Sequence, residues 1–418
     1  MMYPRVLLLL GFSVFSFHAA EKDALAIDAT LQARHVPYGT VMNPIFAQGS
    51  PGTIVDYTRC GDSALWTGHY LAAEAFRYKV TGSADALANL QGALNGLTQL
   101  VNITGSDVLA RCAIPADSPY AASISSQESG NGIYHATVNG KAWLWVGNTS
   151  RDQYCGVFFG LGAAYDLVTD ATIRASISSL ATRMIKNLSG NLWTVLLPNF
   201  SVSTTFLIRP DEQLTLLQIG QHVNPQAFSS DYASQAGTLA VVSPAPLQVD
   251  ASNNQSSYFK FNLDFINMFN LIRLQGPSSA LTYYETGYAA IRAATISHHN
   301  AHFNMIDRGL HGPNIARDTD TRAALDEWLT RPRTDVFVDL AGKLPTCGNV
   351  NEACDPVPVA ERPPSDFLWQ LDPYQLSGGG SGVVETAGID YLLPYWMARY
   401  YGVITLPENA EPARRHPR

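Results

Sequence analysis

The segment YTRCGDSALWTGHYLAAEAFRYKVTG, residues 57–82, constrains the fold of this chain more than any other stretch. Leu65, Trp66, His69, Tyr70 and Ala73 recur at helical spacing, Asp62 or Ser63 stands where a helix cap belongs, and Gly82 marks the stop. Residues 85–103 repeat an apolar helical pattern and close at Thr104-Gly105, so the two predicted helices pair as an αα-hairpin with a short turn. Further helical runs follow. One begins in SRDQYCGVFFGLGAAYDLVTD, with Ser150 or Asp152 as its cap, and its partner covers 171–188. Another starts at RPDEQLTLLQIG, where Pro210 suits the first turn and Asp211 and Glu212 suit the positive end of the helix dipole. Residues 259–274 and 280–298 form a hairpin across QGPSS, 321–330 is a short helix, and 389–401 closes the chain with a kink at Pro394. The stretch 225–257 shows no period and reads as a surface excursion. Residues 333–386 read as loop-rich, with SGGGSG at 377–382 as a flexible lid.

About ten helices therefore pair mainly as hairpins, without the strand–helix alternation of a parallel sheet. The one clear β signal is IYHATV-NG-KAWLWV, whose Asn139-Gly140 pair is a two-residue hairpin turn. That turn sets Val138 opposite Lys141, Ala136 opposite Trp143 and Tyr134 opposite Trp145, which puts Tyr134, Trp143 and Trp145 on one face. Such a face either packs on a neighbouring layer or offers flat apolar surface to a sugar ring.

Charged residues are only 15% of the 418, against 46% apolar, which is the composition of a chain with a large core. The 27 basic and 35 acidic residues give a net charge of −8, and no basic cluster precedes the terminal ARRH. Nucleic acid and an anionic membrane are thereby disfavoured as partners. At the N-terminus, Arg5, the apolar run VLLLLGFSVFSF and then HAAEK fit a secretory signal over residues 1–20, with an uncleaved anchor as the alternative. A secreted or periplasmic location changes how the five cysteines read. Cys347 and Cys354 bracket a short loop as a local disulfide, Cys60 and Cys112 can pair across the first hairpin, and Cys155 is left as a buried thiol. No C-x-x-C pair, phosphate loop, dinucleotide fingerprint or G-x-S-x-G elbow occurs, so neither a cofactor nor a structural metal is expected.

The segment WTGHYLAAEAFRYKVTGSADAL resembles hairpins of the (α/α) toroids of carbohydrate-active enzymes, in particular unsaturated glycuronyl hydrolases and sugar epimerases. The resemblance spans about residues 55–402 and lies in the hairpin pattern. It implies an all-α-dominated fold, an (α/α) toroid of about five to six helical hairpins with an inserted β-hairpin. Residues 21–405 would form that domain and 406–418 a polar tail. It also implies that the inner helices run parallel, so that their starts converge at one rim.

On that reading Asp62 and Asp152, which open two long helices, meet at the rim as the acid/base pair of a glycoside hydrolase. Simple N-capping is the alternative for each. Arg151 and Tyr154 flank Asp152, and Trp66 and His69 share the helix face of Asp62 and can line the same funnel. Ile296 to Arg308, ISHHNAHFNMIDR, holds three of the ten histidines within five positions. His299 and His302 are candidate catalytic groups and Asn300 and Asn304 candidate substrate ligands, with a polar helix end as the alternative. A transition-metal site on His298 and His302 lacks a placed carboxylate. Toroid polysaccharide lyases set Asn, His, Tyr and Arg around a uronic acid, and His299, His302, Asn300, Tyr154 and Arg151 are the residues that could take those parts. The expected partner is an oligo- or polysaccharide; the expected activity is glycoside hydrolysis, followed by the lyase and by non-catalytic glycan binding.

Overall fold

The computed structural model describes residues 10–253, 257–345 and 355–405. The predicted Cys347–Cys354 disulfide, the start of the secretory signal and the polar tail lie outside the described residues. Helices dominate. Helix α1 is Leu10–Arg34, α2 Ser63–Thr81, α3 Ala84–Asn102, α4 Ala121–Gln127, α5 Arg151–Leu167, α6 Ala171–Gly190 and α7 Pro210–Val223. The series continues with α8 Pro225–Leu239, α9 Pro244–Ser252, α10 Phe259–Leu274, α11 Ser279–Thr295, α12 Ala301–His311, α13 Ile315–Trp328 and α14 Ile389–Tyr400. No helix among the described residues is long and apolar enough to cross a membrane.

Two kinds of helix alternate along the chain. In α2, α5, α7, α10 and α14 buried residues run right round the helix, whereas α3, α6, α11 and α13 bury one stripe. The first kind, with α12, pack in an order that returns to its start: α2 on α5, α5 on α7, α7 on α10, α10 on α12, α12 on α14, and α14 on α2. Each of these also contacts a helix next to it in the chain or at the chain's start: α3, α6, α8, α11, α13 and α1 respectively. One cluster of buried apolar side chains extends through them from Ala24 to Ile404.

The α2–α5 contact is the most intimate, and its cause is glycine. A Cβ on Gly68 would collide with the carbonyl of Gly156, and one on Gly160 with the carbonyl of Gly68, so the two backbones touch. Gly156 and Gly160, one turn apart in α5, carry this contact, Gly156 against Leu65 and Gly160 against Gly68.

Strands form small additions. β1 (Asn43–Ala47), β2 (Ser50–Thr58), β8 (Thr334–Asp339) and β9 (Ser377–Glu385) make a four-stranded sheet in the order β2-β1-β9-β8. β3 (Ala113–Pro115), β4 (Ile133–Val138) and β5 (Lys141–Val146) make a second, and β6 (Thr194–Leu196) pairs with β7 (Val202–Thr205). The predicted register of the Asn139-Gly140 hairpin is present: Val138 faces Lys141, Ala136 faces Trp143 and Tyr134 faces Trp145.

Two expectations are corrected here. Residues 377–382 belong to strand β9, paired with β8, because Gly379, at φ 111°, fits against the Val336 carbonyl and Phe337 where a side chain would collide. The stretch 225–257 contains α8 and α9, each opened by a proline at its first turn. Their burial is confined to few residues, Phe228 and Tyr232 in α8, which is why no period was visible.

Candidate functional site

The starts of α2, α5, α7 and α10 are tied to one another by charged side chains. Arg111 donates to the Gly61 carbonyl at 2.7 Å, the Asn148 carbonyl at 2.9 Å and Ser150 Oγ at 2.7 Å, joining the entry of α2 to that of α5. The Cys60–Cys112 disulfide is present beside it and fixes the same junction, as the cysteine spacing allowed. Arg151 pairs with Glu212 of α7 at 2.7 Å, and Arg209 pairs with Asp211 at 2.8 Å, Asp250 at 2.8 Å and Asp264 of α10 at 2.6 Å. At the opposite ends, Asp166 of α5 meets His222 of α7 and Arg273 of α10. With both ends linked, α5, α7 and α10 run parallel.

This geometry brings Asp62 and Asp152 together. Both are partly buried, and the charge of Asp152 acts on Asp62 directly. Burial first, and Asp152 second, raise the Asp62 carboxyl to about 6, against the opposing pull of Arg59 and Arg111. Neither carboxyl serves as an ordinary helix cap. Asp62 occupies the N-cap position of α2 without accepting any cap hydrogen bond, and among the described residues Asp152 accepts its neighbour's amide, that of Gln153, at 3.0 Å, and no amide further along α5. Elsewhere in the chain Asp170, Ser278, Asn300 and Asn314 do cap their helices through side-chain oxygens. Glu128, which the sequence did not single out, accepts the Gly61 amide at 2.8 Å and braces the turn that presents Asp62. Arg59, held in the left-handed region at φ 64°, pairs with Asp366 on the segment leading to Trp369.

Trp369 is the second residue missed, and its position decides much of the remainder. Its ring is fully buried and lies 6.0 Å from Trp66, 5.2 Å from His69 and 4.9 Å from His302, centroid to centroid. Trp66, His69 and His302 are thus in the core beneath it. His69 bonds to the Leu65 carbonyl and to Asn262, and burial lowers it to about 4. His302 has neither ring nitrogen bonded, and burial, then His69, push it well below the usual histidine range. Both rings are neutral at physiological pH.

The other candidates are dispersed. Tyr154 is fully buried and accepts the Leu109 amide at 3.1 Å. Arg151 is engaged by Glu212, Thr204 and the Thr205 carbonyl. Asn300 caps α12. His299 is exposed and pairs with Asp320, which also accepts from Asn304 at 2.7 Å, so these two form a separate polar group at the α12–α13 junction. Of the hairpin aromatics, Trp145 is buried and stacked on Tyr134 at 4.4 Å, and Trp143 is half-buried facing α3. Among the described residues no group of three or more His, Cys, Asp or Glu side chains is arranged to hold a metal ion.

A carboxylic acid near 6 beside a second carboxyl, in a partly buried site, is the arrangement that donates a proton from one group while the other accepts one. Comparison with known proteins adds nothing to this: no family model matches the chain, and no curated protein or solved structure matches it either.

Proposed function

We propose that this protein is a secreted glycoside hydrolase built as an (α/α) toroid, with Asp62 as general acid and Asp152 as the carboxylate that activates water or attacks the sugar. The fold part of the reading is supported by the packing order that runs from α2 through α5, α7, α10, α12 and α14 back to α2, with a partner helix beside each. The apolar run before residue 21 and the Cys60–Cys112 disulfide support secretion. One observation carries the chemistry: two carboxyls that open neighbouring helices, neither used as a cap, with one raised to about 6. A raised acid protonates the leaving oxygen, and the second carboxyl is placed to activate water or attack the sugar.

The test is incubation with a panel of neutral and uronate-containing glycans, reading new reducing ends and ultraviolet absorbance. Reducing ends without absorbance, abolished in Asp62→Asn and in Asp152→Asn, support hydrolysis by this pair. Absorbing unsaturated products indicate a lyase and overturn it, and so does full activity in either variant.

A further inference from the structure

A groove of about 400 Å³ lies between α3 and the β4–β5 hairpin, away from the carboxylate pair. We infer that it is a second saccharide site, which holds one or two neutral sugar units of a polymer while the chain is worked on elsewhere. This rests on the glycan reading above for the kind of ligand, but on different residues.

Three observations support it. First, Asn95, Thr98, Gln99 and Asn102 line one wall, at spacings of three and four along a single stripe of α3. The only charged residue in that helix is Asp85, at its start. Solvent-facing helix stripes ordinarily carry Lys and Glu, and an unbroken row of amides and a hydroxyl matches sugar hydroxyls without selecting for charge. Second, Trp143 stands on the facing wall, half-buried and packed against the main core, so its indole is held in place where the C–H face of a pyranose can lie against it. Third, the amides are held in place. Asn102 accepts from Arg183 at 2.8 Å and Asn95 accepts from Gln91 at 3.0 Å, each through its side-chain oxygen, which leaves the NH₂ groups as oriented donors. Such prior ordering lowers the entropy cost of binding. The volume falls within the range of small-ligand clefts. Lys141, the one charged residue of the lining, is exposed and stands 4.0 Å from Asp117.

The strand β5 links the two places. It carries Trp143 at the groove and ends at Val146, whose carbonyl accepts the amide of Arg111, the residue that ties the entries of α2 and α5. Three residues of strand separate them, roughly 10 Å.

Affinity electrophoresis in gels containing single polysaccharides tests the inference, with protein made in a host without N-glycosylation because Asn102-Ile103-Thr104 is a sequon. The wild type is expected to be retarded by at least one neutral polysaccharide, and Trp143→Ala to lose at least ten-fold in apparent affinity. Asn95→Trp fills the groove from an exposed helix position, leaves the hairpin's own residues unchanged, and is expected to abolish retardation as well; it decides the matter if Trp143→Ala fails to fold. Retardation unchanged in Asn95→Trp, or absent in the wild type on every gel, overturns the site, and so does retardation by uronate polymers alone. Release of reducing ends from the same polymers is scored separately. Retarded protein that releases none sinks the hydrolase reading and leaves the groove standing, whereas release without groove-dependent retardation does the reverse.

Discussion

At the scale of single residues, Asp62 carries the largest consequence. An ionised carboxyl there is disfavoured by burial and by Asp152, so the folded chain holds a proton that the unfolded chain, with its ordinary aspartate near 4, has already lost. Between about pH 4 and 6 the unfolded state therefore binds fewer protons, and stability falls as pH rises through that window. Asp62→Asn removes the penalty. It is expected to raise the stability read from urea denaturation at pH 8 by on the order of 1–3 kcal/mol, and to leave it unchanged near pH 4. The same change is expected to lower turnover by roughly 10²–10⁴-fold, since an amide donates no proton. In the wild type, activity should decline as pH rises through about 6, where the acid loses its proton. A stabilised and fully active Asp62→Asn protein would remove Asp62 from the mechanism. His302 is the contrasting case. A fully buried ring with no hydrogen bond gains nothing from its nitrogens, so His302→Leu is expected to fold with equal or slightly higher stability. His302→Ala leaves a cavity against Trp369 and Phe159 and is expected to lose about 2–4 kcal/mol in denaturant titration. If His302→Leu were instead folded but inactive, the ring would have a chemical role that its burial hides.

At the scale of elements, the contact between α2 and α5 sets the site, because these two helices carry Asp62 and Asp152 at their starts. Their separation depends on three glycines. Gly160→Ala drives a methyl into the Gly68 carbonyl, which no rotamer can relieve, and is expected to cost about 2–3 kcal/mol by chemical denaturation. Gly92→Ala, on α3 with nothing near its Cβ position, is the control and is expected to stabilise by roughly 0.5–1 kcal/mol. Equal effects of the two would mean that the helices are not in backbone contact. The β4–β5 hairpin was the element most open to reading. Its turn pair dictates register, and register dictates which aromatics share a face. Which of those rings stays open was not readable, since α3 and the stacking of Tyr134 on Trp145 decide it.

At the scale of the whole molecule, stability and site geometry are coupled through the Cys60–Cys112 disulfide. It joins the entry of α2 to β3 across 52 residues and sits beside Arg111. Closing a loop of that length removes unfolded-state entropy worth about 4 kcal/mol. Replacing both cysteines by serine is therefore expected to lower the unfolding free energy, read by denaturant titration, by about that amount, and to lower activity in the folded fraction as the Gly61 turn loosens. Loss of stability with specific activity intact would show that Arg111 and Glu128 suffice to hold Asp62. The segment 362–371 acts at the same scale. Through Arg59–Asp366 it is tied to the entry of α2, and through Trp369 it packs on His69 and His302.

The sequence by itself determined the helix hairpins, the β-hairpin register, the Cys60–Cys112 pairing open to it, and the two aspartates at helix starts. These follow from periodicity, turn chemistry and capping positions, which act over a few residues, and a pairing of cysteines is limited to few choices. Tertiary structure alone decided that 377–382 is a paired strand, because a glycine run reads the same in a lid and against a neighbour's backbone. It alone decided that Trp66, His69, His302 and Tyr154 are core, since a polar ring on a helix face is buried or open according to what packs on it: Trp369, some 70 to 300 residues away in the chain, for the first three, and Phe206 for Tyr154. The raised carboxyl of Asp62 is of the same kind. Its cause is burial first and then neighbouring charge, chiefly that of Asp152 90 positions along, and a local reading contains neither the solvent that is missing nor the charge that has arrived.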